Sequence, residues 1–153
     1  MWFPLWLAAC GVDPSGGSTV LPEAGTWAYE DGGVLSSTCP DDLYTDPDAQ
    51  FIVSEVREGS FVVDDGLGEP FGCTVDGRAF TCPVRHAYTY AVPMADATVL
   101  YDVAVAGLLH GPRSLEGTQT FSLDCEGGSC ALGAVLLGVD LPCSYEVAFT
   151  AER

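Results

Sequence analysis

The stretch Ser144–Ala151, with the sequence SYEVAFTA, alternates between apolar and polar side chains. In an extended chain, every second residue from Tyr145 to Ala151 points to one face and the others point to the opposite face. Aromatic and β-branched residues are typical of such half-buried strands. The stretch therefore predicts a β-strand that packs one face against a core.

The same period of two recurs along the chain from Gly25 onward, for instance in Thr98–Ala106, and no long helical period competes with it. Turn signals such as Asp65-Gly66 and Asp76-Gly77 separate the segments. The candidate strands are Thr26–Glu30, Gln50–Val56, Ser60–Asp64, Phe71–Val75, Arg78–Cys82, His86–Val92, Thr98–Ala106, Gly117–Cys125, Cys130–Leu137 and Ser144–Ala151.

Short strands at close spacing predict an all-β fold, an antiparallel meander closed into a barrel of about eight to ten strands. A two-sheet β-sandwich is the alternative. The chain has 153 residues, which suits a single core, and residues 25–153 are expected to form one β domain.

Seven cysteines leave one unpaired if the others form disulfides. No Cys-x-x-Cys pair is present, so disulfides in an oxidising compartment are favoured over zinc. Six cysteines allow 15 pairings. Spacing across turns favours Cys73–Cys82 and Cys125–Cys130, and elimination then leaves Cys39–Cys143, so that disulfides staple the barrel.

The unpaired cysteine, Cys10, ends the N-terminal sequence Leu7-Ala8-Ala9-Cys10, which resembles the lipobox of bacterial lipoproteins. The resemblance implies that residues 1–9 are a signal peptide and that the thiol of Cys10 carries lipid. The apolar run is short and has no preceding Lys or Arg, which a true start upstream of Met1 would explain. An ordinary buried strand is the alternative.

Residues 10–24 are rich in Gly, Ser and Pro, and we expect them to form the lipidated cysteine and a flexible tether. Gly11 stands where an Asp favours inner-membrane retention in enterobacterial lipoproteins. By this resemblance, the protein is exported and held at the outer membrane, on its periplasmic or outer face, with the membrane as partner through the lipid anchor.

The tripeptide Gly25-Thr26-Trp27 resembles the Gly-x-Trp motif that opens lipocalins and fatty-acid-binding proteins. In those families the Trp plugs the closed end of an up-and-down barrel, and in lipocalins an Arg often packs over it. The resemblance implies a lipocalin-like barrel with Trp27 at the closed end and Arg153 beside it.

The net charge of −17, with 22 acidic residues and five arginines, argues against nucleic-acid binding, because the phosphate backbone would be repelled. Four carboxylates crowd one loop, at Asp41, Asp42, Asp46 and Asp48. They are weak candidates for a calcium site, since their spacing does not match an EF-hand, and a solvated loop is favoured.

No catalytic motif stands out, so we expect a non-enzymatic protein without a cofactor. His110 lies in a turn signal, where an exposed side chain is expected. His86, Tyr88 and Tyr90 share one face of an alternating strand, and an outer face is favoured over a pocket because polar-tipped rings rarely fill a dry core.

Two functions from different classes remain. The first is a binding module that holds a small apolar ligand inside the barrel. The second is a structural or interaction domain with a filled core, which displays its surface to a protein partner. The residues expected to face inward and line a ligand site are Trp27, Tyr101, Val103, Val105, Tyr145, Val147 and Phe149.

Overall fold

In the computed structural model, which describes residues 18–40, 49–66 and 68–153, eight antiparallel strands close into a barrel. Each strand pairs with the next along the chain, and the last pairs with the first. The predicted meander barrel is confirmed, and the sandwich alternative is wrong. The elements are β1 (Gly25–Ser37), β2 (Ala49–Arg57), β3 (Ser60–Asp64), β4 (Phe71–Asp76), β5 (Ala79–Ala91), β6 (Thr98–Gly111), β7 (Ser114–Glu126), α1 (Cys130–Leu137) and β8 (Cys143–Glu152).

Three of the ten predicted strands differ from the structure, because two merge into one strand and one is a helix. The predicted segments Arg78–Cys82 and His86–Val92 both belong to β5, which continues through Pro83 by means of a bulge. The predicted strand Cys130–Leu137 is wrong, because this segment is helix α1.

The composition of helix α1 explains why its sequence predicts a strand. A short, continuous apolar run is equally consistent with a buried strand and with a helix. The deciding residue is Gly138, whose left-handed backbone, with a φ of 70°, ends the helix. Its N–H donates to the carbonyl of Val135, and the N–H of Val139 donates to the carbonyl of Ala134. Within the described residues, no helix has the length and apolar character needed to cross a membrane.

Trp27 closes one end of the barrel. Its side chain is fully buried, and its indole N–H donates to the carbonyl of Glu23 over 3.0 Å. Arg153 lies at the same end, where its guanidinium pairs with the Glu23 carboxylate. A Cβ at Gly25 would lie 2.6 Å from Nε of Arg153, so glycine is what lets the arginine pack against the first strand.

The chain just before β1 contacts the closed end of the barrel instead of leaving it as a free tether. The Val20 N–H donates to Gly77 and the Glu23 N–H donates to Pro112, both at turns of this end. Val20 and Leu21 also pack against the core cluster that contains Trp27. The ordered domain therefore begins before the predicted boundary at Gly25. Cys10 lies outside the described residues.

Two paired glycines let aromatic rings approach the barrel wall. Gly107 of β6 lies opposite Gly117 of β7. A Cβ at Gly107 would lie 2.7 Å from the Phe80 ring, and one at Gly117 would lie 2.9 Å from the Phe149 ring. Both rings are buried in the core cluster that contains Trp27, which we call the lower core. The glycines therefore provide the space that these large side chains occupy.

The three predicted cysteine pairs are the disulfides of the structure. Cys73–Cys82 joins β4 to β5, and Cys125–Cys130 joins the end of β7 to α1. Cys39–Cys143 spans a sequence separation of 104 residues and ties the end of β1 to the start of β8. This last disulfide belongs to a second, upper cluster with Val99 and Leu123, at the end of the barrel opposite Trp27.

Removal of the long-range disulfide should destabilise the barrel more than removal of a local one. The loss of entropy that a cross-link imposes on the unfolded chain grows with the logarithm of the length of the closed loop, so we expect a loss of about 4.7 kcal/mol for Cys39→Ala with Cys143→Ala. The matched control, Cys125→Ala with Cys130→Ala, should lose about 2 kcal/mol. Urea unfolding of the two double variants measures the difference, and equal losses would contradict this account.

Candidate ligand-binding cavity

A cavity of about 360 Å³ lies inside the barrel, between the lower core around Trp27 and the upper cluster around Val99. Its floor is shared with the lower core through residues such as Phe61 and Leu115. The volume falls at the small end of the range for ligand pockets, roughly 300–1,000 Å³. The interior is therefore filled at one end and hollow above it.

Six of the seven residues predicted to line a ligand site do line this cavity. They are Tyr101, Val103, Val105, Tyr145, Val147 and Phe149. Strands β6 and β8 place them there because alternate residues of each strand face inward. Trp27, the seventh, is not among the lining residues, because the lower core separates it from the cavity. It supports the floor instead.

Strand β5 contributes Arg85 to the lining, which an uninterrupted period of two from Phe80 and Cys82 does not predict, and also Tyr88, which has the same parity as those two residues. The β5–β6 register shifts between Cys82 and Arg85, and again between His86 and Tyr88. Because each bulge adds a residue, Arg85 and Tyr88 both line the cavity, opposite Val103 and Tyr101.

The same bulges separate the face predicted for His86, Tyr88 and Tyr90. His86 lies outside, 49% exposed, with Nδ1 3.1 Å from Oδ1 of Asp102. Tyr90 is exposed, as expected, and does not line the cavity. The predicted outer face is therefore wrong for Tyr88, whose ring stacks on Tyr101 with 4.1 Å between centroids.

The wall of the cavity at the end opposite Trp27 includes Arg85 and Tyr88, from the later part of β5. In the described part of the chain, β4 pairs with β5 only through Thr74–Asp76, so the later residues of β5 pair with β6 alone. Tyr88 at this border is half exposed. Gln50 at the start of β2 and Asp65 just after β3 also line the cavity at this end.

Aromatic side chains dominate the wall. Ten lining residues are aromatic, and they include every phenylalanine of the β domain. Several are stacked in pairs, with ring centroids 4.7 Å apart for Phe121–Tyr145 and 5.3 Å apart for Tyr29–Phe149. Such offset pairs fix the rings against one another and stabilise the wall. The cavity is thus preformed by side chains that hold each other in place.

One ion pair lies in this aromatic wall. The guanidinium of Arg85 pairs with the carboxylate of Asp65, and the two side chains are only 14% and 25% exposed. Arg85 also lies over the ring of Phe71, with 4.3 Å from Cζ to the ring centroid. Its Nε is buried and has no hydrogen-bond acceptor within the described residues. No sequence signal singled out Arg85, because the bulge that turns it inward is not visible as a period.

Two tyrosines of the cavity, Tyr88 and Tyr145, have raised pKa values. Burial, together with the neighbouring Tyr101, raises the pKa of Tyr145 from 10.0 to about 12. Burial and a hydrogen bond with Tyr101 raise the pKa of Tyr88 well above its ordinary value. At neutral pH these phenols therefore act as uncharged hydrogen-bonding groups beside an apolar space.

Within residues 18–40, 49–66 and 68–153, no three side chains of His, Cys, Asp or Glu are grouped so that they could hold a metal ion. The weak calcium candidates Asp41, Asp42, Asp46 and Asp48 lie outside the described residues. His110 is half exposed, as expected, with Nε2 3.2 Å from Oε2 of Glu116 on the outside of the barrel.

The chain was compared with protein-family models, with curated proteins and with solved structures, and none of the three comparisons found a match.

Proposed function

We propose that the protein is a non-enzymatic binding module that holds a small apolar ligand inside its barrel. The observation that carries this proposal is the cavity of about 360 Å³, which lies among apolar and aromatic side chains. Ligand pockets in proteins combine mostly apolar walls with a few polar groups that orient the ligand. Here the polar groups are Arg85, Asp65, Gln50 and Gln119, besides the tyrosine hydroxyls.

The hollow interior supports binding over a purely structural role. A structural domain gains stability from a filled core, because unfilled space forfeits contacts between apolar atoms. The lower half of this barrel is filled, since Trp27, Val53 and Phe61 are at most 2% exposed. The same chain therefore packs one half of its interior and leaves space in the other, which suits retention of a ligand.

We further propose that the protein is exported and anchored to the outer membrane through lipid on Cys10. The lipobox-like sequence supports this, as does the pairing of all six described cysteines in disulfides, which indicates an oxidising compartment. The segment just before β1 contacts the end of the barrel that contains Trp27, so an anchored domain would have its tether at that end.

Mass spectrometry of the protein purified from its native membrane tests the anchor. We expect an N-terminal peptide that begins at Cys10 and carries acyl groups, and Cys10→Ser should release the protein from the membrane fraction. An unmodified N-terminal peptide that contains Trp2 and Trp6 would contradict the anchor but would leave the cavity proposal intact.

Uptake of a neutral apolar fluorophore, phenylnaphthylamine, tests the binding function. We expect the wild type to bind it with saturable fluorescence enhancement. Val103→Phe should weaken binding about tenfold or more, because the larger ring occupies the cavity, at a cost of about 1–3 kcal/mol in stability from overpacking. Tyr101→Ala should enlarge the cavity and change the affinity.

Tyr90→Ala is the matched control, because this tyrosine lies on the same barrel end but does not line the cavity. Its binding should equal that of the wild type. The binding proposal is wrong if the folded wild type fails to take up the probe, or if Tyr90→Ala and Val103→Phe lose binding equally. Either result would favour the alternative of a structural domain without a ligand.

A further inference from the structure

A polar, uncharged side chain faces the interior in the middle of β7, and it indicates the head group of the ligand. We propose that the apolar ligand carries an uncharged amide-type group, an N–H donor beside a carbonyl acceptor, and that the side-chain amide of Gln119 pairs with this group. The inference rests on the proposed binding function, since it names the ligand class for the same cavity.

Gln119 faces the interior because β7 alternates regularly on both sides of it. Leu115 and Leu123, four residues before and after it, are buried in the lower core and the upper cluster. Residues of the same parity in a strand point to the same face. Gln119 lies opposite Val105 of β6 and Val147 of β8, and all three residues line the cavity. The amide is therefore placed among apolar neighbours inside the barrel.

The amide of Gln119 can be reached by a ligand and has no partner in the described part of the protein. It makes no hydrogen bond within the described residues, and its nitrogen and oxygen keep accessible surface although the residue is half-buried. A primary amide offers N–H donors and a carbonyl acceptor in one plane. The two valines beside it can satisfy neither group, so a partner has to come from a bound molecule.

An amide-type head group satisfies both sides of this side chain at once. Two antiparallel N–H···O bonds join two amides, whereas a ketone accepts one bond and leaves the carbonyl of Gln119 without a donor. A binding site that presents polar groups to its ligand discriminates against analogues that leave those groups unpaired. The donor and the acceptor of Gln119 therefore select a ligand that carries both.

Several other polar groups of the cavity are already engaged or lie toward solvent. Tyr88 and Tyr101 share a hydrogen bond, and Arg85 pairs with Asp65. Gln50 also lines the cavity, but its side chain is exposed at the start of β2. Gln119 is thus the primary amide that the barrel holds inside.

The charges of the cavity favour an uncharged head group over an ion of either sign. Among the described lining residues, only Arg85 and Asp65 are charged, and they pair with each other. An anion would have to displace Asp65 from this pair and a cation would have to displace Arg85, so neither finds an unpaired counter-charge. The net charge of −17 favours the approach of cations, but it does not replace the hydration that an ion loses inside an apolar cavity.

Three naphthalenes of nearly equal shape, substituted at the same ring carbon, test the head group. Naphthamide offers a donor and an acceptor, acetylnaphthalene offers an acceptor only, and isopropenylnaphthalene offers neither. Each is titrated into the wild type and into Gln119→Met, whose side chain has a similar length and no amide. Because each probe is compared with itself, the cost of removing it from water cancels.

We expect Gln119→Met to weaken the binding of naphthamide about tenfold, which corresponds to about 1.4 kcal/mol, and that of acetylnaphthalene about threefold. The affinity for isopropenylnaphthalene should stay the same or increase, because the wall of the variant is more apolar. The matched control is Thr120→Met, at the next residue of β7, where the side chain is exposed. It should leave all three affinities unchanged.

The wild type provides a second readout that needs no variant. The chain contains two glutamines and no asparagine, so a nitrogen–proton correlation spectrum has side-chain NH₂ signals from Gln50 and Gln119 alone. With naphthamide bound, the Gln119 signals should lie downfield of their position with isopropenylnaphthalene bound, because the N–H gains an acceptor. The two probes share the same rings, so the comparison removes the shift that the rings themselves cause.

The outcomes distinguish this inference from the proposal on which it rests. The ligand class is wrong, while the binding function stands, if Gln119→Met leaves naphthamide binding unchanged or weakens all three probes equally. It is also wrong if naphthoate or naphthylmethylammonium binds the wild type more tightly than naphthamide. If Gln119→Met does not fold, equal positions of the Gln119 signals with the two probes would contradict the inference. If none of the probes binds to the folded wild type, the binding function itself fails.

Discussion

Backbone hydrogen bonds between β1 and β8 join the first strand of the domain to the last, from Ala28 opposite Glu152 to Ser37 opposite Tyr145. Without this ladder, the chain would be an open meander with two long exposed edges, which is a liability for any β-sheet. With it, the inward faces of all eight strands meet around one interior. The burial of Trp27 and the existence of a cavity inside the barrel both follow from this closure.

The interior is divided because the strands differ in length. β1, β5, β6 and β7 have 13 or 14 residues, whereas β3 and β4 have five and six. All eight strands surround the lower half, where phenylalanine rings packed against glycines fill the space. In the described part of the chain, the short strands do not reach the upper half of β5. Arg85 and Tyr88 from this part of β5 line the cavity, and the disulfide Cys39–Cys143 ties the chain just after β1 to the start of β8.

The alternation of apolar and polar residues predicts much of this fold, because it shows which side chains of a strand face inward. β6 and β8 follow the period without interruption at their inward residues, so Tyr101, Val103 and Val147 were placed correctly from sequence alone. Cysteine spacing across turns found the two local disulfides, and elimination found the third.

The remaining features depend on irregularities that no period reveals. The first bulge in β5 turns Arg85 into the cavity and His86 outside, and the second returns Tyr88 to the inward face. Helix α1 has the composition of a buried strand, and its identity depends on the left-handed Gly138 and on packing of Gly133 against Ala97. Whether a barrel of eight strands is filled or hollow also depends on how particular rings pack, since both outcomes occur at this size.

The central claim is that the upper half of the barrel is a preformed apolar cavity. Crystals equilibrated with xenon test it directly, because xenon enters apolar cavities that are large enough to hold it. We predict xenon density between Tyr101, Val103 and Phe121 in the wild type, with loss of that density in Val103→Phe. A barrel interior in which these side chains contact each other, with no xenon bound under saturating pressure, would contradict the account.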